Sequence, residues 1–261
     1  MPAAPDPLAS VAGLPGVGAA VERARRAVDG LRGHRVLRRY AQRVASESAL
    51  RGARASAALE GVDVPLDALR RTVSAGGRLP GDGEALVQGA LRVASEVGAL
   101  PETWGRAPLQ VLARLHALAA SDLVADSNRL DRLGRPEPAG ASRLTALADL
   151  LSAPSSAPAL VVAAVVHGEV ATAGSFLDGA GIVARAASRL TLVARGLDPK
   201  GVSVPEVGHA ELGRAAYLAA LRGYAGGGPD GIAAWVGHCA EAVVLGAREG
   251  VAVCESIQRS P

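Results

Sequence analysis

Apolar residues recur along this chain at steps of three and four over most of its length, and no stretch alternates apolar with polar residues as a half-buried strand does. The segment after Pro229 is the clearest case: Ile232, Trp235, Val236, Cys239 and Val243 form one stripe of a buried helix. This periodicity predicts an all-α protein. Aromatic residues make up only 2% of the chain, with one Phe and two Trp, so the core must be built from Ala, Leu and Val. Side chains that small pack between helices that approach closely. Glycine and proline breaks then predict helices over 17–32, 35–60, 65–75, 83–99, 105–120, 142–152, 157–173, 182–196, 208–223 and 230–256. Between them, the polar stretch from Ala125 to Gly140 carries Arg129, Arg132 and Arg135 and two prolines, and reads as a long loop or a short hairpin.

Several function classes fall away. The net charge is +3, and Lys200 is the only lysine, so no basic tract marks a nucleic-acid surface. The turn "LPGVG" at residues 14–18 is similar to helix-hairpin-helix DNA-binding turns. It lacks a second hairpin and a basic surround, and reads as a cap of the first helix. Cys239 and Cys254 sit in no CxxC or Cys/His spacing typical of a metal motif. The apolar run from Ala157 to Val166 is about half of the ~20 residues a membrane span needs, and the first residues lack a secretory pattern. A cytoplasmic protein without nucleic-acid or membrane partners is expected.

The most informative stretch is "GEVATAGSFLDGAGIVARAA", residues 168–187, in which a helical run breaks at a glycine-rich turn and resumes. It resembles the HxFx(D/E)GNGRxxR signature of Fic (Fido) domain proteins, which transfer AMP from ATP to a hydroxyl of a target protein. In register, Phe176, Asp178, Gly179, Gly181 and Arg185 match, while the His position holds Gly174, the Asn position Ala180 and the first Arg position Ile182. Flanking features agree with the resemblance. His167 lies seven residues before the lost His, "LTLVARGLDP" is similar to the helix that follows the motif, and "AAYLAALRGYAGGGPDGIAAWVGHCAEAV" to the closing YxxAL turn and helix. Upstream, Ser56, Glu60 and Gly61 of "RASAALEG" match the inhibitory (S/T)xxxE(G/N) motif.

The resemblance implies a Fic-like helical domain over 50–256 that includes the inhibitory helix, an N-terminal helical extension over 1–49 and a tail over 257–261. It implies that Asp178 would hold Mg²⁺ only together with a nucleotide, and that Arg185 pairs with Glu60 to block the γ-phosphate. By their residues alone, Gly179 and Gly181 either turn backbone N–H groups toward an anion or permit a sharp turn, and Asp178 is an acid suited to capping turn amides. The general base is missing. His167 lies about 10 Å along the helix from residue 174, beyond direct reach, and reads as a core histidine. Ser175 and Thr172 are hydroxyls without an adjacent base, and Glu169 points around the helix away from residue 174.

The leading expectation is therefore a catalytically degenerate binding or regulatory module with no catalytic residue. Its nucleotide-binding candidates are Phe176, Asp178, Gly179, Gly181 and Arg185. Such a module requires no cofactor, takes ATP with Mg²⁺ if a nucleotide binds, and can engage a protein partner. The alternatives are a divergent Fic-type transferase moving AMP or another phosphate-containing group to a protein hydroxyl, and a purely structural partner protein.

Overall fold

The computed structural model describes residues 6–78, 81 and 83–259, and among them there is no strand. Fourteen α-helices of the described residues follow one another: α1 (Pro7–Ala12), α2 (Val17–Arg32), α3 (Ala41–Leu59), α4 (Leu66–Ser74), α5 (Glu84–Glu96), α6 (Pro101–Arg106), α7 (Pro108–Ala120), α8 (Arg129–Arg132), α9 (Pro138–Ser152), α10 (Ala159–Thr172), α11 (Ala180–Ala194), α12 (Pro205–Leu212), α13 (Arg214–Ala225) and α14 (Pro229–Arg259). Proline opens several of them, where its missing N–H is one the helix start leaves unpaired in any case and its fixed φ suits the first turn.

The centre is a hairpin of α10 and α11. Leu160 to Gly168 are all buried, so α10 is apolar on every side and must be surrounded by other helices. Helix α11 is nearly as enclosed. The long α14 lies along α2 and α12 and seats Trp235, Val236, Cys239 and Val243 in the core, the stripe the sequence predicts. The Trp235 indole N–H donates to the Ala164 carbonyl at 2.8 Å, which ties α14 to α10. Scarcity of aromatics is met by close backbone approach. A β-carbon on Gly208 of α12 would lie 2.0 Å from the Ala242 carbonyl oxygen of α14, and one on Gly89 of α5 would lie 2.2 Å from that of Ala119 in α7. No helix of the described residues is long and apolar enough to cross a membrane.

Several expected boundaries are corrected. The helix expected over 208–223 starts earlier and is cut in two at Gly213, whose φ of 95° is left-handed and ends α12. The helix expected over 105–120 is preceded by the separate α6, because Pro108 forces Ala107 out of the helical region. Residues 35–38 form a 3-10 turn, and α3 begins only at Ala41. The Ala125–Gly140 segment is neither a structureless loop nor a hairpin. It holds a 3-10 turn over 126–128, the short α8, and the first turn of α9. "LPGVG" is the turn between α1 and α2, with Gly16 as the left-handed cap of the second helix. Within the break expected over 75–83, residues 79, 80 and 82 lie outside the described residues, as do 260 and 261 of the expected tail.

Candidate functional site

The glycine-rich turn lies between the last residue of α10 and the first of α11. Gly174 and Gly179 both have left-handed backbones, φ 64° and 71°, and Gly179 caps α11. Between them, Phe176 turns inward and is buried while Leu177 is exposed. The turn is fixed to α9 by two bonds: the Glu137 N–H donates to the Ser175 carbonyl at 2.7 Å, and the Ser175 hydroxyl donates to the Gly140 carbonyl at 3.1 Å. Ser175 is thus committed as a structural donor. Thr172 donates to the Gly168 carbonyl at 2.7 Å, and Glu169 is held by Tyr224 and Arg143. All three are engaged in hydrogen bonds within the protein.

Arg185 projects from α11 into the core and is 2% exposed. Its guanidinium donates to the Ser56 hydroxyl at 2.8 Å, the Ser56 carbonyl at 3.0 Å, the Glu60 carboxylate at 2.7 Å and the Tyr217 hydroxyl at 3.2 Å. Burial pulls against the charge, but the Tyr217 oxygen and the Glu60 carboxylate outweigh it and hold Arg185 above its usual value. Glu60 is the C-cap of α3, and Gly61 continues the chain with φ 99°. The structure therefore brings together Ser56, Glu60 and Arg185, residues from opposite halves of the sequence.

Gly181 belongs to the same contact. A β-carbon there would lie 2.0 Å from Glu60 Oε1, so the carboxylate stands directly against the backbone of the first turn of α11. That is the positive end of the helix, where an anion is favoured by about 0.3–1 kcal/mol. The chain's own carboxylate lies at this helix start, bonded to Arg185. Ile182, at the position of the motif's first Arg, is 2% exposed and lines an apolar cleft with Ala53, Ala90 and Val93.

Asp178 does not cap α11, as its residue type alone suggests; the cap has no side-chain hydrogen bond. Its carboxylate instead accepts from Arg132 of α8 at 2.5 Å, in a pair about one-third exposed on both sides (31% and 32%). A cation thus already sits on Asp178, and it is a guanidinium.

Sequence reasoning missed three residues. His116 of α7 stacks on Phe176 with ring centroids 4.2 Å apart, and its Nδ1 accepts from the Gly134 N–H at 3.1 Å. Its Nε2 is buried without a hydrogen-bond partner. Burial pushes this imidazole below its usual pKa, with the Asp178 carbonyl and carboxylate opposing that shift and Arg132 adding to it. Nothing but its place on an apolar stripe, between Leu115 and Ala119, marks it in the sequence. Tyr217, the aromatic of the downstream "YLAAL", bridges Arg185 to His167 through its hydroxyl, 2.8 Å from His167 Nε2. Arg132 was one of three arginines in an aperiodic stretch. His167 itself is a core residue, fully buried between Tyr217, His209 and Trp235.

No family model matches the sequence, and no curated protein matches it. Solved structures do. The chain is similar to a Fic family protein from Desulfovibrio desulfuricans G20, with a TM-score of 0.70 and 21% identity over 91% of this chain and 74% of that one. It is also similar to Fic-1 from C. elegans, with a TM-score of 0.69 and 18% identity over 95% of this chain and 76% of that one. At this identity the likeness speaks of architecture, and the architecture is plain: the chain has the Fic fold.

Proposed function

We propose that this protein is a catalytically degenerate Fic-type module that acts by binding, with its anion site held shut by Glu60. The observation that carries the reading is the Glu60 carboxylate itself, placed against Gly181 and bonded to Arg185 at the start of α11. The side chains lost from the motif agree with it. Gly174 has no imidazole, Ala180 no amide, and Ile182 replaces a charge-assisted phosphate contact of ~1.5–3 kcal/mol with an apolar side chain.

Phe176, Asp178, Gly179, Gly181 and Arg185 remain as the contour of a nucleotide site, and Ser56, Glu60 and Gly61 as the segment that closes it. With Mg²⁺ present, ATP is the ligand to test. Isothermal titration with ATP and Mg²⁺, joined to an assay for AMP transfer, separates binding from turnover. The expected result is weak binding to the natural chain, tighter binding to Glu60→Gly, and no transfer by either. Robust AMP transfer by the natural chain refutes degeneracy.

One observation favours a second reading, a divergent transferase. His116 lies buried next to Asp178 with its Nδ1 taken by the Gly134 N–H, so the neutral ring carries its proton on Nε2, where it can serve as an acid or hydrogen-bond donor toward a reacting oxygen. On that reading His116→Gln abolishes a measurable turnover. On the leading one there is no turnover for it to change.

A further inference from the structure

The core holds a second cluster of chemistry-bearing side chains, on the far side of Tyr217 from Glu60. His167 of α10, His209 of α12 and Cys239 of α14 come from three helices, and one donor atom from each lies within 4.8 Å of the others. All three residues are buried, at 0%, 4% and 5% exposure. His167 uses Nε2 with the Tyr217 hydroxyl, and its Nδ1 has no hydrogen-bond partner. A fully buried, unpaired ring nitrogen costs about 1–3 kcal/mol in a folded core, and a Cys beside it is no strong donor. Next to this trio, His209 Nδ1 lies 3.1 Å from His238 Nε2, one turn along α14 from Trp235. Four of the five histidines of the chain are buried or half-buried near functional residues, and three of them converge here.

We propose that His167, His209 and Cys239 form a binding site for a thiophilic metal ion of the zinc class. Two imidazoles and one thiolate are a donor set suited to Zn²⁺, which binds His nitrogen at about 2.0–2.1 Å and Cys sulfur at about 2.3 Å. Donors held that far from a shared ion stand somewhat closer together than the 4.8 Å bound, so loading draws α10, α12 and α14 inward by no more than about 1 Å. Binding converts the Cys239 thiol to a thiolate–metal bond and releases its proton to solvent. His238, bonded to His209, orients that imidazole from outside, as outer partners of metal-bound histidines commonly do. Tyr217 holds His167 Nε2 from the other side of the ring, at 2.8 Å. The Arg185 guanidinium, on the other side of Tyr217, is paired with Glu60.

The site lies apart from the glycine-rich turn and does not depend on whether a nucleotide binds there. Its test is a titration of the chelator-treated full chain with Co²⁺ as a spectroscopic probe, followed by competition with Zn²⁺. The expected result is one Co²⁺ per chain, with a thiolate-to-cobalt charge-transfer band, the intense visible bands of a low-coordinate site, and displacement by Zn²⁺. The chain has only two cysteines, so retention of the charge-transfer band in Cys254→Ala assigns it to Cys239 without disturbing the site. Cys239→Ala is expected to abolish the band, and His238→Ala to weaken binding about 10-fold or more while keeping the band. Absence of a charge-transfer band in the natural chain overturns the proposal. So does a band lost in Cys254→Ala, which would place the metal elsewhere. If Cys239→Ala fails to fold, the natural chain and Cys254→Ala decide the question alone.

Discussion

Glu60 Oε1 stands 2.0 Å from where a β-carbon on Gly181 would be, and 2.7 Å from Arg185 Nη2. The carboxylate needs the absence of a side chain at 181 as much as it needs the guanidinium. A substitution at either end therefore tests the same contact.

Gly181→Ala pushes out the far end of a flexible Glu side chain. In the natural background it is expected to destabilise by about 1–2 kcal/mol, by uncoupling Glu60 from the buried Arg185. In a Glu60→Gly background only Arg185 Nη1, 3.1 Å from the new β-carbon, has to give by a few tenths of an ångström, and the same change is expected to be close to neutral, the helix propensity gain of about 0.5–1 kcal/mol offsetting that contact. Denaturant melts of the four proteins of this double-mutant cycle give the coupling. Equal effects of Gly181→Ala in both backgrounds would show that the Glu60 contact carries no energy.

Arg132→Ala removes the guanidinium from Asp178. Because the pair is about one-third exposed at both ends, the stability change is expected to stay under about 1 kcal/mol. The released carboxylate should instead change ligand behaviour. In Glu60→Gly with Arg132→Ala, nucleotide affinity is expected to gain a dependence on Mg²⁺ that Glu60→Gly alone lacks, read by calorimetry with and without the metal.

Gly140→Ala attacks the support beneath the turn. Its new β-carbon would lie 2.4 Å from Ser175 Oγ and 2.6 Å from both the Ala173 carbonyl and Ser175 Cα, and the last two are backbone that cannot move aside. A loss of about 2–3 kcal/mol is expected. At roughly 2–4 °C per kcal/mol for a chain of this size, calorimetry should see a fall in Tm of several degrees.

Gly174→His restores the side chain of the motif base but not its surroundings. With φ at 64°, an L-residue there costs about 1–2 kcal/mol. A β-carbon would meet open space, so the fold should survive. No AMP transfer is expected from this variant, because Ile182 still holds the phosphate side apolar and Glu60 still fills the anion position. Transfer by the single variant would mean that the rest of the site is intact.

Much of the architecture is legible in the residues. The α14 stripe, the extent of α2 and the α10–α11 hairpin follow from apolar period and glycine breaks, which are local. The Glu60–Arg185 partnership is readable only because both members sit in recognisable spacings 125 residues apart. Arg132 and His116 are not readable in that way. One arginine among three in an aperiodic stretch has no feature to single it out, and its choice of Asp178 is made by how α8 docks. His116 occupies an apolar stripe, where a histidine and a leucine follow the same rule of burial until the neighbour across the interface is known. The split at Gly213 was missed because one left-handed glycine suffices to turn a helix, with no run of polar residues around it.

The two halves of the Glu60–Arg185 latch are unequally free. Arg185 is gripped by Ser56 and Tyr217 as well as by its partner, whereas Glu60 is partly open to solvent at the end of α3, with Gly61 as the next joint in the chain. Of the two side chains, only that of Glu60 can swing away without unpacking the core, so any opening of the pair would move the end of α3 and leave α11 still.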